Sequence, residues 1–275
     1  MVKLQVFGGS GFIGSEFVKQ NKEFCVVNEK IDYRVDESCK EIVYLISTVT
    51  NYNIKVNSFI DIETNLITMM KVLDQCKDKD IVFNFISSWF VYGFTEMPAT
   101  EESVCNPKGF YSITKKAAED LLVSFCETFN LKYRILRLAN VTGYGDMKAS
   151  SKKNALQYLV NEIKQNKDIN LYEGGKFYRD FIHVSDVAKA IKLIIEKGDV
   201  NTIYNIGNGV PYFFKDYLDI AKDIFKSESN FNYIEQPDFH KKVQVLSMWM
   251  KTNKLKSLGY TPQYDNINMI KDILR

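Results

Sequence analysis

Residues 8–14 read Gly-Gly-Ser-Gly-Phe-Ile-Gly, directly after the apolar run Val2-Lys3-Leu4-Gln5-Val6-Phe7. Glycine reaches positive φ without steric cost, so the stretch alone is readable either as a flexible turn or as a place where backbone approaches a ligand. Its flanks decide. Phe12 to about Gln20 is patterned as a helix, and Phe24-Cys25-Val26-Val27 is a second apolar run. Strand, glycine turn, helix and strand in under 30 residues make a βαβ unit, which implies a parallel sheet. In that setting Gly8, Gly11 and Gly14, spaced GxxGxxG, make the turn that opens a helix whose first residues are Phe12 and Ile13. A dinucleotide pyrophosphate rests on such a helix N-terminus.

The alternation continues down the chain. Ile42–Ile46 reads as a strand, and Phe59, Ile62, Leu66, Met69, Leu73 and Cys76 recur at steps of three and four, marking a long amphipathic helix. Ile81–Ile86 is a continuous apolar strand of the kind buried on both faces. A helix follows over Tyr111–Phe129, with Ala118, Leu122, Phe125 and Phe129 on one stripe, then a strand over Tyr133–Leu138. This is a doubly wound α/β fold of the Rossmann type. After Gly145 the rhythm changes. Helices are expected near 154–165 and 187–197, and short strands at 169–171, 178–182 and 203–206. The expected organisation is a dinucleotide-binding domain over 1–145, to which segments near 182–206 return, and a smaller α/β substrate domain from 146–181 and 207–275.

Of the 275 residues, 36 are basic and 34 acidic, a net charge of +2 with no basic block interleaved with aromatics, so neither nucleic acid nor an anionic membrane is expected as a partner. The five cysteines, at 25, 39, 76, 105 and 126, include no CxxC pair and are odd in number, which argues against a metal cluster or a disulfide framework. No apolar run approaches the about 20 residues of a membrane span, and the first strand leaves no room for a signal peptide, so a cytoplasmic protein is expected.

A second constellation is Tyr111-Ser112-Ile113-Thr114-Lys115, with Ser87 and Ser88 ending the preceding strand. Tyrosine and lysine four apart share a helix face, so the ammonium is expected to draw the phenol below its free value of about 10. A phenol so tuned can take or give a proton, and a strand-end serine in the crevice of an open α/β sheet can bond the same substrate oxygen.

With GGSGFIG, the segments ISSWFVYG (86–93), YSITK (111–115), RLANVTGYG (137–145), YRDFIHVSD (178–186) and YNIGNG (204–209) follow in order. In these the chain resembles the extended short-chain dehydrogenase/reductase family, particularly its nucleotide-sugar epimerases, dehydratases and reductases, over nearly its whole length. The resemblance implies Tyr111 as general acid/base, Lys115 as the residue that tunes it and holds the nicotinamide ribose, and Ser88, five residues before Gly93, as the hydroxyl that orients substrate. It places Ser47 and Thr48 beside the cofactor and Asp36, in a stretch like the family's short third strand, at the adenine. Asn140 and Arg179 match the residues that meet a substrate diphosphate, with Asn154 near a further nucleotide contact. Other readings of these residues stay open: Asn140 as a turn residue, Arg179 as a local ion pair with Asp180. His183 reads as a structural histidine and Trp249 as packing.

Dehydratases of this family carry an Asp-Glu pair after the catalytic Ser or Thr, where this chain has Trp89 and Phe90, and members that epimerise beside a ketone use an extra Cys there. A minimal set remains, Tyr111 and a hydride. It fits an NDP-4-keto-sugar reductase or, as the alternative, an NDP-sugar 4-epimerase with bound NAD; a non-catalytic dinucleotide sensor is more remote, because such proteins commonly lose the Tyr or Lys. The second strand is expected to end at Asn28, followed by Glu29, Lys30 and Arg34. Asn28 and Lys30 are therefore placed at the adenosine ribose, and the cations lean the cofactor from NAD towards NADP. A homodimer through the helices near 58–77 and 111–129 is expected from the same resemblance.

Overall fold

The structure, a computed structural model, describes residues 3–27, 33–146, 150 and 153–273. Asn28 and Lys30, placed above at the adenosine ribose, lie outside the described residues.

Strand β1 (Leu4–Phe7) leads into α1 (Phe12–Gln20), β2 (Cys25–Val27) and β3 (Glu41–Tyr44). A short 3-10 segment (Asn51–Lys55) precedes a helical run made of α2 (Ile60–Ile62), a π-helical turn (Glu63–Ile67) and α3 (Thr68–Leu73). Next come β4 (Val82–Ser88), α4 (Phe110–Thr128), β5 (Lys132–Leu138) and β6 (Asn140–Thr142). The remainder is α5 (Ala155–Lys164), β7 (Ile169–Tyr172), β8 (Tyr178–Arg179), β9 (Phe181–His183), α6 (Val184–Lys197), β10 (Thr202–Ile206), β11 (Tyr212–Phe213), α7 (Phe214–Phe225), β12 (Phe231–Ile234), α8 (Asp238–Val243), α9 (Asn253–Ser257) and α10 (Asn266–Ile273).

Six parallel strands form the main sheet in the order β10-β5-β4-β3-β1-β2. The order reverses between β1 and β3, and ligands of open α/β sheets bind at the strand ends beside such a switch point. Alternation along the strands sends Leu4, Val6, Val43 and Leu136 to a core shared with Phe17, Val187 and Ile191, and Phe7, Ile42, Tyr44 and Ile135 to a core shared with Met69, Leu73 and Leu122. Two arginines of β5 interrupt the apolar pattern and are neutralised in place. Arg134 meets Glu41 at 3.2 Å, and Arg137 meets Glu119 at 2.7 Å. A third core, with Leu156, Val160, Tyr217, Leu218 and Ile270 among its members, is built entirely from residues beyond 155. Among the described residues no helix is long and apolar enough to cross a membrane.

Two expected elements differ in detail. The stretch 178–182 is two strands, because the Asp180 carboxylate accepts bonds from the backbone N–H groups of Asn208 and Gly209, at 2.9 and 3.2 Å, and this ties off the chain between β8 and β9. The long helix keeps its expected stripe at Met69, Leu73 and Cys76, but the π turn changes the phase before it. As a result Phe59 is exposed, while Asp61 and Asn65 face inward.

Candidate active site

One cleft of about 940 Å3 runs from the glycine turn to the third core. Its wall brings together Gly8, Gly11, Phe12, Ile13, Gly14, Ser47, Thr48, Ser88, Tyr111, Lys115, Asn140, Asn154 and Arg179. Asp36 is not among its lining residues. Its carboxylate accepts from Ser38 N and Ser38 Oγ, at 2.8 and 2.6 Å, and from Lys3 Nζ at 3.4 Å.

At one end Gly8 takes φ +84°, and Gly11, the N-cap of α1, donates its N–H to Gly8 O at 3.0 Å. A Cβ on Gly14 would stand 2.2 Å from Gly8 O, so only glycine allows the helix to start this close to the turn. The first turn of α1 has no side-chain cap and no acidic residue. Its leading N–H groups and positive dipole end suit a pyrophosphate.

At the centre, Tyr111 and Lys115 project from α4 beside the end of β4. Ser88 Oγ accepts from Phe90 N at 3.3 Å and shares the cleft wall with the Tyr111 phenol, while Ser47 Oγ donates to Thr48 O at 2.7 Å. Burial pushes the phenol up to about 12, opposed by the nearby Ser88 hydroxyl, reinforced by the Asp61 charge and opposed again by the Ser47 hydroxyl. The expected lowering by Lys115 is therefore corrected. Lys115 Nζ donates to Ile86 O at 2.7 Å and sits 4.0 Å over the Phe85 ring, and burial draws the ammonium itself down to about 7 although the Glu119 charge raises it.

This has a consequence for stability. The unfolded chain holds the lysine proton up to the ordinary value of about 10.5, the folded chain only to about 7, so stability rises with pH between these values. Lys115→Met is expected to be the more thermostable protein at neutral pH, by an amount of order a few kcal/mol that shrinks as the pH approaches 10. Thermal melts of both proteins across that range check this.

Trp89 and Phe90 stack with ring centroids 4.0 Å apart, and Phe90 and Tyr111 form a T-shaped pair with centroids 5.5 Å apart. Trp89 Nε1 donates to Asn140 Oδ1 at 3.2 Å, while Asn140 Nδ2 donates to Asp180 O at 3.0 Å. Asn140 begins a paired strand rather than a turn.

Arg179 is buried in the cleft wall. Its guanidinium donates to Val245 O at 2.9 Å, to Tyr178 O at 3.2 Å and to Leu246 O, and lies over the rings of Phe177 and Trp89. Among the described residues no carboxylate pairs with it, since Asp180 faces the Asn208 and Gly209 amides. Burial draws the arginine down to about 9 and pushes Asp180 up to about 7. A buried cation held only by carbonyls, with an Nε–H and one Nη2–H still to give, is a receptor for an anion. Asn154, the left-handed N-cap of α5, bonds Asp146 at 3.2 Å and Gln157 at 3.1 Å.

His183 is structural. Ser185 N–H donates to Nδ1 at 3.2 Å, so the proton resides on Nε2, which meets Asp272 at 2.8 Å, and the ring stacks on Tyr264. The residues that pattern reading missed are polar ones on the buried helical face, Asp61 and Asn65, and the rim residues Tyr52 and His240, joined by a 2.9 Å bond. The four-residue spacing of Asp61 and Asn65 was the available signal.

Residues 4–207 match the profile of the NAD dependent epimerase/dehydratase family. The chain belongs to this family. It is an enzyme of the extended short-chain dehydrogenase/reductase type. A putative UDP-glucose 4-epimerase of Methanocaldococcus jannaschii is 25% identical, with 98% of this chain and 96% of that protein aligned. The dTDP-D-glucose 4,6-dehydratase of Dictyostelium discoideum is 26% identical over 81% of this chain, which spans 61% of that protein. The fold also matches the UDP-N-acetylglucosamine 4-epimerase of Methanobrevibacter ruminantium M1, solved with UDP-N-acetylmuramic acid, at a TM-score of 0.87 and 22% identity, covering 99% of this chain and 98% of that one.

Proposed function

We propose that this enzyme transfers a hydride between a nicotinamide cofactor and C4 of a nucleotide-diphosphate sugar, acting as an NDP-4-keto-sugar reductase. The observation that carries the reading is the pairing, within one cleft, of the Ser88–Tyr111 proton site with the unpaired guanidinium of Arg179. The first can protonate an alkoxide as hydride arrives; the second suits a diphosphate. The aromatic pair Trp89 and Phe90 supplies no acid or base for eliminating water, which speaks against the dehydratase activity that one relative is named for.

In this reading Gly8, Gly11, Phe12, Ile13 and Gly14 hold the pyrophosphate, Ser47 and Thr48 flank the cofactor, and Lys115 holds the nicotinamide ribose. Asn140, Asn154 and Arg179 take the substrate, whose lobe comprises 146–181 and 207–275. The cations Lys30 and Arg34 support NADP over NAD. The cytosol is the proposed compartment and a homodimer the proposed assembly, supported by the exposed Phe59, Ile67, Ile113 and Leu121 on the two long helices. A 4-epimerase is the second reading, favoured by the name of the methanogen relative that aligns along nearly its whole length.

The two part on stoichiometry. The purified protein is analysed for bound dinucleotide, then incubated with NDP-4-keto-sugars and NDP-hexoses while reduced-nicotinamide absorbance is followed. Net consumption of NADPH with a keto-sugar is expected. Interconversion of NDP-hexoses without added cofactor would replace the reductase by the epimerase.

A further inference from the structure

Asn51 opens the 3-10 segment Asn51–Lys55, is buried, and lines the cleft with Tyr111 and Arg179. Its side-chain amide is engaged at both ends. Oδ1 accepts from Ser112 N at 3.3 Å, and Nδ2 donates to Val243 O at 3.2 Å. Ser112 is the third residue of α4, next in sequence to Tyr111, and its N–H is one of those a helix leaves without an intrahelical partner. The N-cap side chain ordinarily takes that bond, but the N-cap of α4 is Gly109. A Cβ on Gly109 would stand 2.1 Å from Asn51 Oδ1, and its three nearest neighbours would all be atoms of the Asn51 amide. Asn51 therefore occupies the place of the missing side chain and caps the helix from a distant segment. Val243 is the last residue of α8, so its carbonyl too is one that a helix leaves over. A carboxylate would take the first bond but not give the second.

Beyond Val243 the chain runs directly into Val245 and Leu246, whose carbonyls hold the Arg179 guanidinium. The Tyr52–His240 bond crosses the same seam, but Asn51 is the residue whose other end meets α4. We propose that Asn51 is a positioning residue of the proton-transfer step. By capping α4 and tying it to the segment that holds Arg179, it sets the separation between the Tyr111 hydroxyl and a substrate oxygen anchored through its diphosphate. This rests on Tyr111 being the proton relay and Arg179 the diphosphate receptor. Tyr111 belongs to α4, packed on the main sheet, and Arg179 to β8, among residues of the third core. Substrate spans both, so an error in their separation is felt at the reacting oxygen, where a displacement of about 1 Å costs about 10²-fold in rate.

The test separates capping from bridging. Asn51→Ala removes both bonds. Gly109→Ser in that background returns a cap to its usual position, in the space the amide leaves, without a bond to Val243. Gly109 already has φ −95° and ψ 158°, the extended conformation from which an N-cap side chain reaches back to its helix. Asn51→Ala is expected to melt about 2–4 °C below the parent and to lose about tenfold in kcat on the accepted nucleotide sugar, with KM within about twofold. The combined variant, Asn51→Ala with Gly109→Ser, is expected to regain most of the melting temperature and to keep the low kcat. Parental kcat in either variant overturns the proposal, because capping would then be the whole role, and so does a loss that falls on KM rather than kcat. A combined variant that melts no higher than Asn51→Ala also overturns it, because Asn51 would then not be the cap. Failure of the functional reading has a different signature, full turnover in Tyr111→Phe, which no pattern among these variants produces.

Discussion

Tyr111→Phe is expected to lower turnover of an accepted NDP-4-keto-sugar by about 10²- to 10⁴-fold, the range that a positioned general acid contributes. The phenol lines the cleft with Ser88 and Ser47, and phenylalanine keeps the ring that packs in a T-shape with Phe90. The effect should therefore fall on kcat, with KM for the sugar and affinity for the dinucleotide little changed. Steady-state kinetics with a folded variant, verified by its melting curve, checks this. With the phenol pushed up to about 12 by burial, Tyr111 is protonated at neutral pH, the form that hydride arrival at a ketone carbon would call on.

Arg179→Met is expected to raise KM for the nucleotide sugar by about 10- to 100-fold, corresponding to the roughly 1.5–3 kcal/mol that a hydrogen bond to a charged group contributes. Calorimetry separates this from a general loss of structure. Affinity for a nucleoside diphosphate falls, while affinity for the dinucleotide, held at the far glycine end, stays at the parent value. An unchanged KM would instead favour a carbonyl substrate with no diphosphate. The guanidinium lies over the rings of Phe177 and Trp89, so methionine retains apolar contact there and the change is chiefly one of charge and donors.

The fold was legible because it rests on local rules that leave marks in sequence. Gly8 and Gly14 sit where positive φ and a 2.2 Å approach admit no side chain, and the period-2 and period-3.6 patterns on either side of them announce the βαβ unit. Tyr111 and Lys115 were legible as a pair on one helical face. What their environment does to them was not, since burial depends on the whole packed cleft: the ammonium expected to lower the phenol donates to Ile86 O and is itself drawn down by burial. The inward turn of Asp61 and Asn65 was equally hidden. A π turn adds a residue to one turn of helix, and a count at steps of three and four cannot register it.

The most direct measurement follows a deuterium. The enzyme is supplied with an NDP-4-keto-sugar and NADPH deuterated at nicotinamide C4, on each face in turn, and the product sugar is examined by mass spectrometry and NMR. With one of the two labels, a single deuterium at sugar C4, in step with oxidised cofactor formed and lost in Tyr111→Phe, is the predicted result. Product that carries no deuterium from either label would contradict hydride transfer to C4 in this cleft.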